Sequence, residues 1–436
     1  MRVLVVAYHF PPDPAVGGLR ALKLARAFRA AGHEVVVLAA AISLPETIVE
    51  DGIAIRRVRS GAGLRELLVR LQRPGRHAIA AAASDDRDFS DRSDDGYAAP
   101  HHLPAWKRFV FSLMWLPDDR QGFILPAVRA GSAIAPPHLI YTTAPPNSIH
   151  IVGRLLKRSL GVPWISEYRD PWTDNPSKPA HVRSRMSDAM ERWLERWALR
   201  AANAVVAVTA ANAASLSRKL SAGRGRSRDV LVFRNGIDRI LDTPPPDRVG
   251  PIRILYLGDL YLHRDPLPFL RGLASLMRRN RLRPESVTVD FYGSCRYFHD
   301  VSIQATVDEL GLSTIVSVHD RIPHHQVSTV LAEADVLLLL AQKQPAQVPN
   351  KLYEYLGARR PILAFLDRDG ESATLLRQAG RHTLIVDDDP SGVENAIENA
   401  VRTARKGQLL ETAAIDHLSA DRQFEALVTT AETIAR

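Results

Sequence analysis

The sequence of 436 residues contains one cysteine, Cys295, so no disulfide can form within the chain and a reducing compartment is the expected setting. No run approaches the roughly 18 uncharged apolar residues of a membrane-spanning helix. The apolar stretch in the opening "MRVLVVAYHF" is too short for a signal-peptide core and reads as a strand instead. These absences predict a cytoplasmic protein. Histidine and cysteine spacing of the zinc type is missing, so no metal is expected. The glycine pattern G-x-G-x-x-G is also missing, which weakens a dinucleotide reading. No nucleic-acid module is recognisable, and nucleic acid is not an expected partner.

Cations are in excess, with 57 Lys plus Arg against 48 Asp plus Glu and a net charge of +9. Such a balance favours anionic company, either nucleotide phosphates or acidic lipid headgroups. The length exceeds one ordinary core and predicts two domains. Short apolar, β-branched runs alternate with helical patterns, as in stacked βα units. In the first half the runs are "RVLVVAY" (2–8), "EVVVLAA" (34–40), "LIYTT" (139–143), "PWISEY" (163–168) and "AVVAVT" (204–209). The rhythm restarts with "IRILYLG" (252–258), "VTVDFYG" (287–293), "IVSVHD" (315–320), "DVLLLLA" (335–341), "PILAF" (361–365) and "HTLIVD" (382–387). Continuous rather than alternating apolar runs imply strands buried on both faces, hence parallel sheets. The proline-rich "DTPPPDRVGP" (242–251) reads as a linker between a domain over 1–241 and another over 252–410. A last helix over 411–436 is able to return to the first domain. Two doubly wound α/β domains facing across a cleft are the expected architecture. Residues 72–105 read as a mobile polar insertion. The following stretch 105–119, with Trp106, Phe109, Val110, Leu113 and Met114 on one helical face beside Lys107 and Arg108, reads as core or as a membrane-surface element.

Several strand ends carry candidate chemistry. Gly17 and Gly18 follow the first strand and open a helix, where glycine admits either a tight turn or a ligand against the helix N-terminus. His150, after "YTTAPPNSI", either donates to a ligand oxygen or serves the core. The charges Glu167, Arg169 and Asp170 in "ISEYRDPW" stand where a sheet opens, as a catalytic set or as internal pairs. In the second half Gly258 ends a strand and Arg264 sits in the loop beyond it, a residue type suited to bidentate phosphate binding. In "VPNKLYEYLGARRPIL" (348–363), Asn350, Lys351 and Leu352 form the first helical turn after a strand, a pocket for a diphosphate. Glu354, one turn deeper, either accepts from vicinal hydroxyls or complements the helix dipole.

At these residues the chain resembles the retaining glycosyltransferases of family 4, which have the GT-B fold. "PPDPAVGGLRALKLARAFRAAGHEVVVLA" is similar to the family's opening, "VFRNGID" (232–238) to its interdomain motif and "VPNKLYEYLGARRPILA" to its donor-site helix. "YTTAPPNSIH" and "EYRDPW" resemble a bacterial branch active in surface-polysaccharide assembly. The resemblance implies retaining transfer of a sugar from a UDP- or GDP-type nucleotide sugar, without a metal or cofactor. The acceptor would be a glycan or polyprenyl-linked. Such an enzyme would be cytoplasmic, with peripheral contact to an anionic membrane on the inner face of the plasma membrane. By motif position Glu354 would bind the donor ribose. Gly17, Gly18 and Gly258 would approach the diphosphate, with Arg264 and Lys351 gripping it and Asn350 and Leu352 in the same turn. His150, Arg169 and Asp170 would form the catalytic group. Ala346 stands where the family carries a carboxylate eight residues before Glu354. That exchange is also compatible with a non-catalytic nucleotide-sugar-binding subunit that supports a partner transferase.

Overall fold

The computed structural model describes residues 1–13, 16–41, 47–61, 63, 112, 115–175, 183–221, 229–244, 250–261, 263–380, 383–386 and 389–436. The chain separates into two compact units: Met1–Arg234 with Gln423–Arg436, and Asn235–Arg422. The crossing between them precedes the proline-rich 242–251 segment. The insertion 72–105 and residues 105–111, 113 and 114 of the mixed stretch that follows lie outside the described residues.

The first unit is built on an eight-stranded sheet. Its strands are β1 (Arg2–Val6), β2 (Glu34–Ala40), β3 (Thr47–Glu50), β4 (Ile53–Val58), β5 (Leu139–Ala144), β6 (Trp164–Tyr168), β7 (Ala204–Ala207) and β8 (Val230–Val232), in the order β3-β4-β2-β1-β5-β6-β7-β8. All neighbours pair in parallel except β3 with β4. Helices α1 (Val16–Ala30), α2 (Ile124–Ser132), α3 (Ser148–Leu160), α4 (Arg185–Leu199) and α5 (Ala210–Ser221) cover it. Gly32, at φ +80°, closes α1 as its sequence position predicts. The β4 strand alternates inward Ile53, Ile55 and Arg57. Arg57 donates to the Phe10 and Pro11 carbonyls at 3.3 and 2.6 Å, so a buried guanidinium anchors the loop after β1.

The second unit has a six-stranded, wholly parallel sheet. Its strands are β9 (Ile252–Leu257), β10 (Val287–Tyr292), β13 (Val316–His319), β14 (Val336–Ala341), β15 (Ile362–Leu366) and β16 (Thr383–Val386), in the order β13-β10-β9-β14-β15-β16. A short antiparallel ribbon joins β11 (Tyr297–Phe298) and β12 (Val301–Ser302). The helices are α6 (Leu267–Arg278), α7 (Ile303–Glu309), α8 (His324–Ala332), α9 (Asn350–Ala358), α10 (Glu371–Ala379), α11 (Pro390–Arg405) and α12 (Thr412–Ile415). The run Leu337–Leu340 explains the continuous hydrophobicity of β14. Leu338 and Leu340 enter one core with Tyr256 and Phe269, while Leu337 and Leu339 enter the other with Leu352 and Leu356. Strand β14, buried at every position, carries no polar residue, and each such leucine contributes about 1.5–3 kcal/mol.

The last helix, α13 (Ala420–Ala435), ends in the first unit, where Glu432 accepts from or shares a proton with His33 at 2.8 Å. No described helix is long and apolar enough to cross a membrane. In each sheet the strand order reverses once, between β1 and β5 and between β9 and β14. The crevice outside the carboxyl ends of strands at such a reversal is where doubly wound sheets bind ligands.

Candidate functional site

In the second unit the reversal gathers the loop after β9 and the helix after β14. Lys351, in the first turn of α9, is 9% exposed. Its ammonium donates to Tyr256 Oη at 3.0 Å and lies 4.2 Å from that ring's centroid. Tyr256 Oη in turn donates to the Asp259 carbonyl at 2.9 Å, which fixes the phenol as an acceptor for the lysine. A Cβ on Gly258 would fall 2.5 Å from Lys351 Nζ, and Gly258 has φ +135°; the position requires glycine for its backbone and for the space.

Arg264 lies beside this lysine. Its guanidinium stacks 4.1 Å over the Tyr261 ring and reaches the Asp259 carbonyl at 3.4 Å, while its Nε is buried without a partner. Burial drives the Lys351 pKa well below its usual value, and the charge of Arg264 pushes in the same direction. Among the described residues neither cation has a carboxylate at ion-pair distance. Asp259 is instead committed elsewhere, accepting from Ser294 N at 2.7 Å and from Arg321 at 2.8 Å. Burial alone would raise the Asp259 carboxyl, but those donors outweigh it and hold it below its usual range. Cys295, buried nearby, donates its thiol to the Gly258 carbonyl at 3.1 Å, and burial pushes that thiol up to about 12. Lys351 and Arg264 thus stand close together at a strand-order reversal and a helix N-terminus, with charge and unpaired helix N–H groups of the kind that suit an anion.

Asn350 and Glu354 share α9 with Lys351. Asn350 is exposed and accepts from Asn235 Nδ2 at 2.6 Å, while Glu354 is half-buried one turn further on. Leu352 corrects the sequence expectation. Its side chain is wholly buried in the core and its N–H donates to the Pro349 carbonyl at 2.9 Å, so it has no group left for a ligand. Arg359, which follows α9, takes the left-handed conformation at φ 60° and donates to the Leu410 carbonyl at 2.8 Å. The two arginines that close "LGARRP" are therefore structural, Arg360 being buried and donating to the Pro244 and Ala332 carbonyls.

In the first unit the reversal brings α1 against the end of β6. Arg169 donates to the Ala144, Pro145 and Gly17 carbonyls. A Cβ on Gly17 would lie 3.0 Å from Arg169 Nη2, so the glycine admits the guanidinium that ties α1 to the loop after β5. Gly18 packs against the backbone of His9 and Phe10. Three of the five guanidinium N–H groups of Arg169 are thus engaged on backbone carbonyls, which holds the half-buried side chain in place. Asp170 follows it, half-buried.

Glu167 is likewise internal. Arg20 donates to its Oε1 at 3.0 and 2.6 Å, Tyr141 to the same oxygen at 2.9 Å and Thr143 to Oε2 at 2.6 Å. Burial pushes this carboxyl up, yet Arg20 and the two hydroxyls outweigh it and hold it below the usual range. His150 is corrected too. It is wholly buried, stacked on Tyr168 with centroids 4.0 Å apart and flanked by Trp164 and Trp172. Its Nδ1 pairs with Thr142 Oγ1 at 3.1 Å, and burial lowers its pKa to about 3, so it is a neutral core histidine. Sequence reading missed Arg20, Tyr256, Asp259 and Cys295. Only the strand-end position of Tyr256 and Asp259 signalled them; Arg20 and Cys295 depend on contacts distant in sequence.

The fold is shared with solved structures of low identity. Sucrose-phosphate synthase from Thermosynechococcus elongatus aligns with a TM-score of 0.56 and 16% identity, covering 100% of this chain and 96% of that one. HepE of Anabaena, in complex with UDP and glucose, aligns at 0.59 and 13%, covering 99% and 100%. The α,α-trehalose 6-phosphate synthase of Burkholderia multivorans aligns at 0.62 and 12%, covering 100% and 96%. No curated protein matches by sequence. The family profile described as the glycosyl transferase 4-like domain matches residues 17–236, more than half of the chain. With that match and its two Rossmann-like units of the GT-B type, the chain belongs to the glycosyl transferase 4-like family.

Proposed function

We propose that the chain is a retaining, metal-independent glycosyltransferase. It moves a sugar from a UDP- or GDP-type nucleotide sugar to a glycan or polyprenyl-linked acceptor in cell-surface polysaccharide assembly. The observation that carries this reading is the pair Lys351 and Arg264 beside the N-terminus of α9, neither of them with a carboxylate at ion-pair distance among the described residues. When the glycosidic bond to the donor breaks, the leaving diphosphate gains negative charge. Cations fixed in a low-dielectric wall stabilise that charge without needing a metal. In this reading Glu354 accepts from the ribose hydroxyls, Gly258 lets the backbone approach the pyrophosphate, and Asp170 is a catalytic group carried by the first unit. Support also comes from HepE, solved with UDP and glucose, and from a trehalose-phosphate synthase of Burkholderia xenovorans solved with glucose-6-phosphate.

The test is a mass-spectrometric transfer assay with the purified chain across UDP- and GDP-sugars, with chelator present. Turnover or slow donor hydrolysis with one donor is expected. Inactivity with every donor, together with no nucleotide binding, refutes the reading. Ala346 favours a second reading, a nucleotide-sugar-binding subunit of a partner transferase. Calorimetry separates the two, because such a subunit binds the donor and never turns it over alone.

A further inference from the structure

Helix α4 departs from an ordinary surface helix in burying acidic residues and exposing large apolar ones. Its acidic residues are turned away from solvent or paired. Glu191 is buried and accepts from Trp172 Nε1 at 3.1 Å. Glu195 is buried and accepts from Thr173 and Lys219, and Asp188 pairs with Arg183 at 3.4 Å. Leu199 enters the core, but three large apolar residues face outward, with Trp193 59% exposed, Met186 52% and Met190 43%. At 3.6 residues per turn Met186, Met190, Trp193 and Trp197 form one stripe, and Arg185, Arg192 and Arg196 run along its edge.

Where the stripe meets α3 it is concave. Trp193 and Trp197 stack with centroids 6.2 Å apart, and the Arg154 guanidinium lies 3.8 Å over Trp197. Together with Arg196 and Arg200 they line a depression of about 280 Å³. Ser112, in the mixed stretch 105–119, has its hydroxyl 2.8 Å from that of Ser184, the N-cap of α4.

We propose that this face of α4 docks the protein on an anionic phospholipid bilayer. Met186, Met190 and Trp193 enter the acyl boundary, and Arg192, Arg196 and Arg200 meet lipid phosphates. The charge pattern selects this occupant. A second copy in a two-fold contact would set these arginines against their own equivalents with no exposed acid on the helix to offset them. A polynucleotide would satisfy the arginines but leave the methionines in water. A bilayer surface takes both, apolar anchors in hydrocarbon and guanidiniums at the headgroups.

The test is co-sedimentation of the full chain with vesicles of phosphatidylcholine, alone or with phosphatidylglycerol added. Binding is expected to the anionic vesicles only, and to weaken with salt. Replacing Arg192 or Arg196 by glutamine should lower partitioning about fivefold each. The double variant Met190→Ser, Trp193→Ser should lower it about tenfold or more with an unchanged melting temperature, since both side chains are exposed. Brominated lipid should quench tryptophan emission in the natural chain and distinctly less in Trp193→Phe. No sedimentation with anionic vesicles overturns the proposal, as does binding that these substitutions leave unaltered. Light scattering that shows a dimer dispersed by Trp193→Ser, without vesicle binding, assigns the face to a second copy and overturns it as well.

Discussion

Lys351 is poorly placed in the free protein and well placed for an anion, so its removal should move stability and affinity in opposite directions. Without a ligand, its ammonium bears the cost of desolvation and faces Arg264, and both depress its pKa. Lys351→Met keeps length and apolar contact with the Tyr256 ring while removing the charge. Tyr256 Oη retains its bond to the Asp259 carbonyl at 2.9 Å, so nothing buried is orphaned. The ligand-free variant should melt higher, by about 2–4 °C for each kcal/mol relieved in a unit of this size. Opposite unit charges 4 Å apart interact by about 4 kcal/mol at an effective dielectric of about 20. After desolvation a charged hydrogen bond retains about 1.5–3 kcal/mol, so the Kd for a nucleoside diphosphate should rise about 10- to 150-fold. At a ligand concentration of about 100 times the natural Kd, ligand-induced stabilisation should drop from about 2.7 kcal/mol to about 0.4 kcal/mol for a hundredfold weakening. Differential scanning fluorimetry with and without UDP or GDP reads both quantities. A lower ligand-free melting temperature combined with an unchanged ligand shift would refute the reasoning.

Glu354→Ala should weaken nucleotide binding by about 1–3 kcal/mol and affect the matching 2′-deoxynucleotide less, as calorimetry can measure. Acid should destabilise the first unit through His150. The unfolded imidazole takes up a proton below pH 6.5, whereas the native one does so only near pH 3. This contribution is intact above pH 6.5 and shrinks as pH falls, by about 2 kcal/mol at pH 5. Urea unfolding at pH 7 and 5 should show His150→Leu losing about that much less than the natural chain. Gly153→Ala would place its Cβ 2.5 Å from Trp164, whose side chain is wholly buried. It should destabilise by about 1–3 kcal/mol or more, measurable by denaturant titration.

The strands with continuous apolar runs were legible because burial on both faces leaves its mark in every residue, as in Val336–Ala341. The β3–β4 pair was not. It lies at the sheet edge, and its inward positions include Arg57, whose burial is tolerated only because the Phe10 and Pro11 carbonyls accept from it. Lys351, Arg264 and Gly258 were legible as strand-end residues that topology must gather. His150 and Arg169 also follow strand ends, but both are held from within the unit. One is enclosed by Tyr168, Trp164 and Trp172, and the other has three of its five N–H groups engaged on carbonyls. Position along the chain fixes where a residue enters the crevice side of a sheet. It does not say whether the side chain turns toward solvent or back into the core. Glu167 illustrates this most directly, since its partner Arg20 lies 147 positions away.

The central claim is that Lys351 and Arg264 grip a pyrophosphate. A crystal structure of the full chain with a bound nucleoside diphosphate tests it most directly. The account predicts phosphate oxygens within about 3 Å of Lys351 Nζ and of the Arg264 guanidinium, with the ribose toward Glu354. A diphosphate bound firmly elsewhere, with both cations uninvolved, would contradict it.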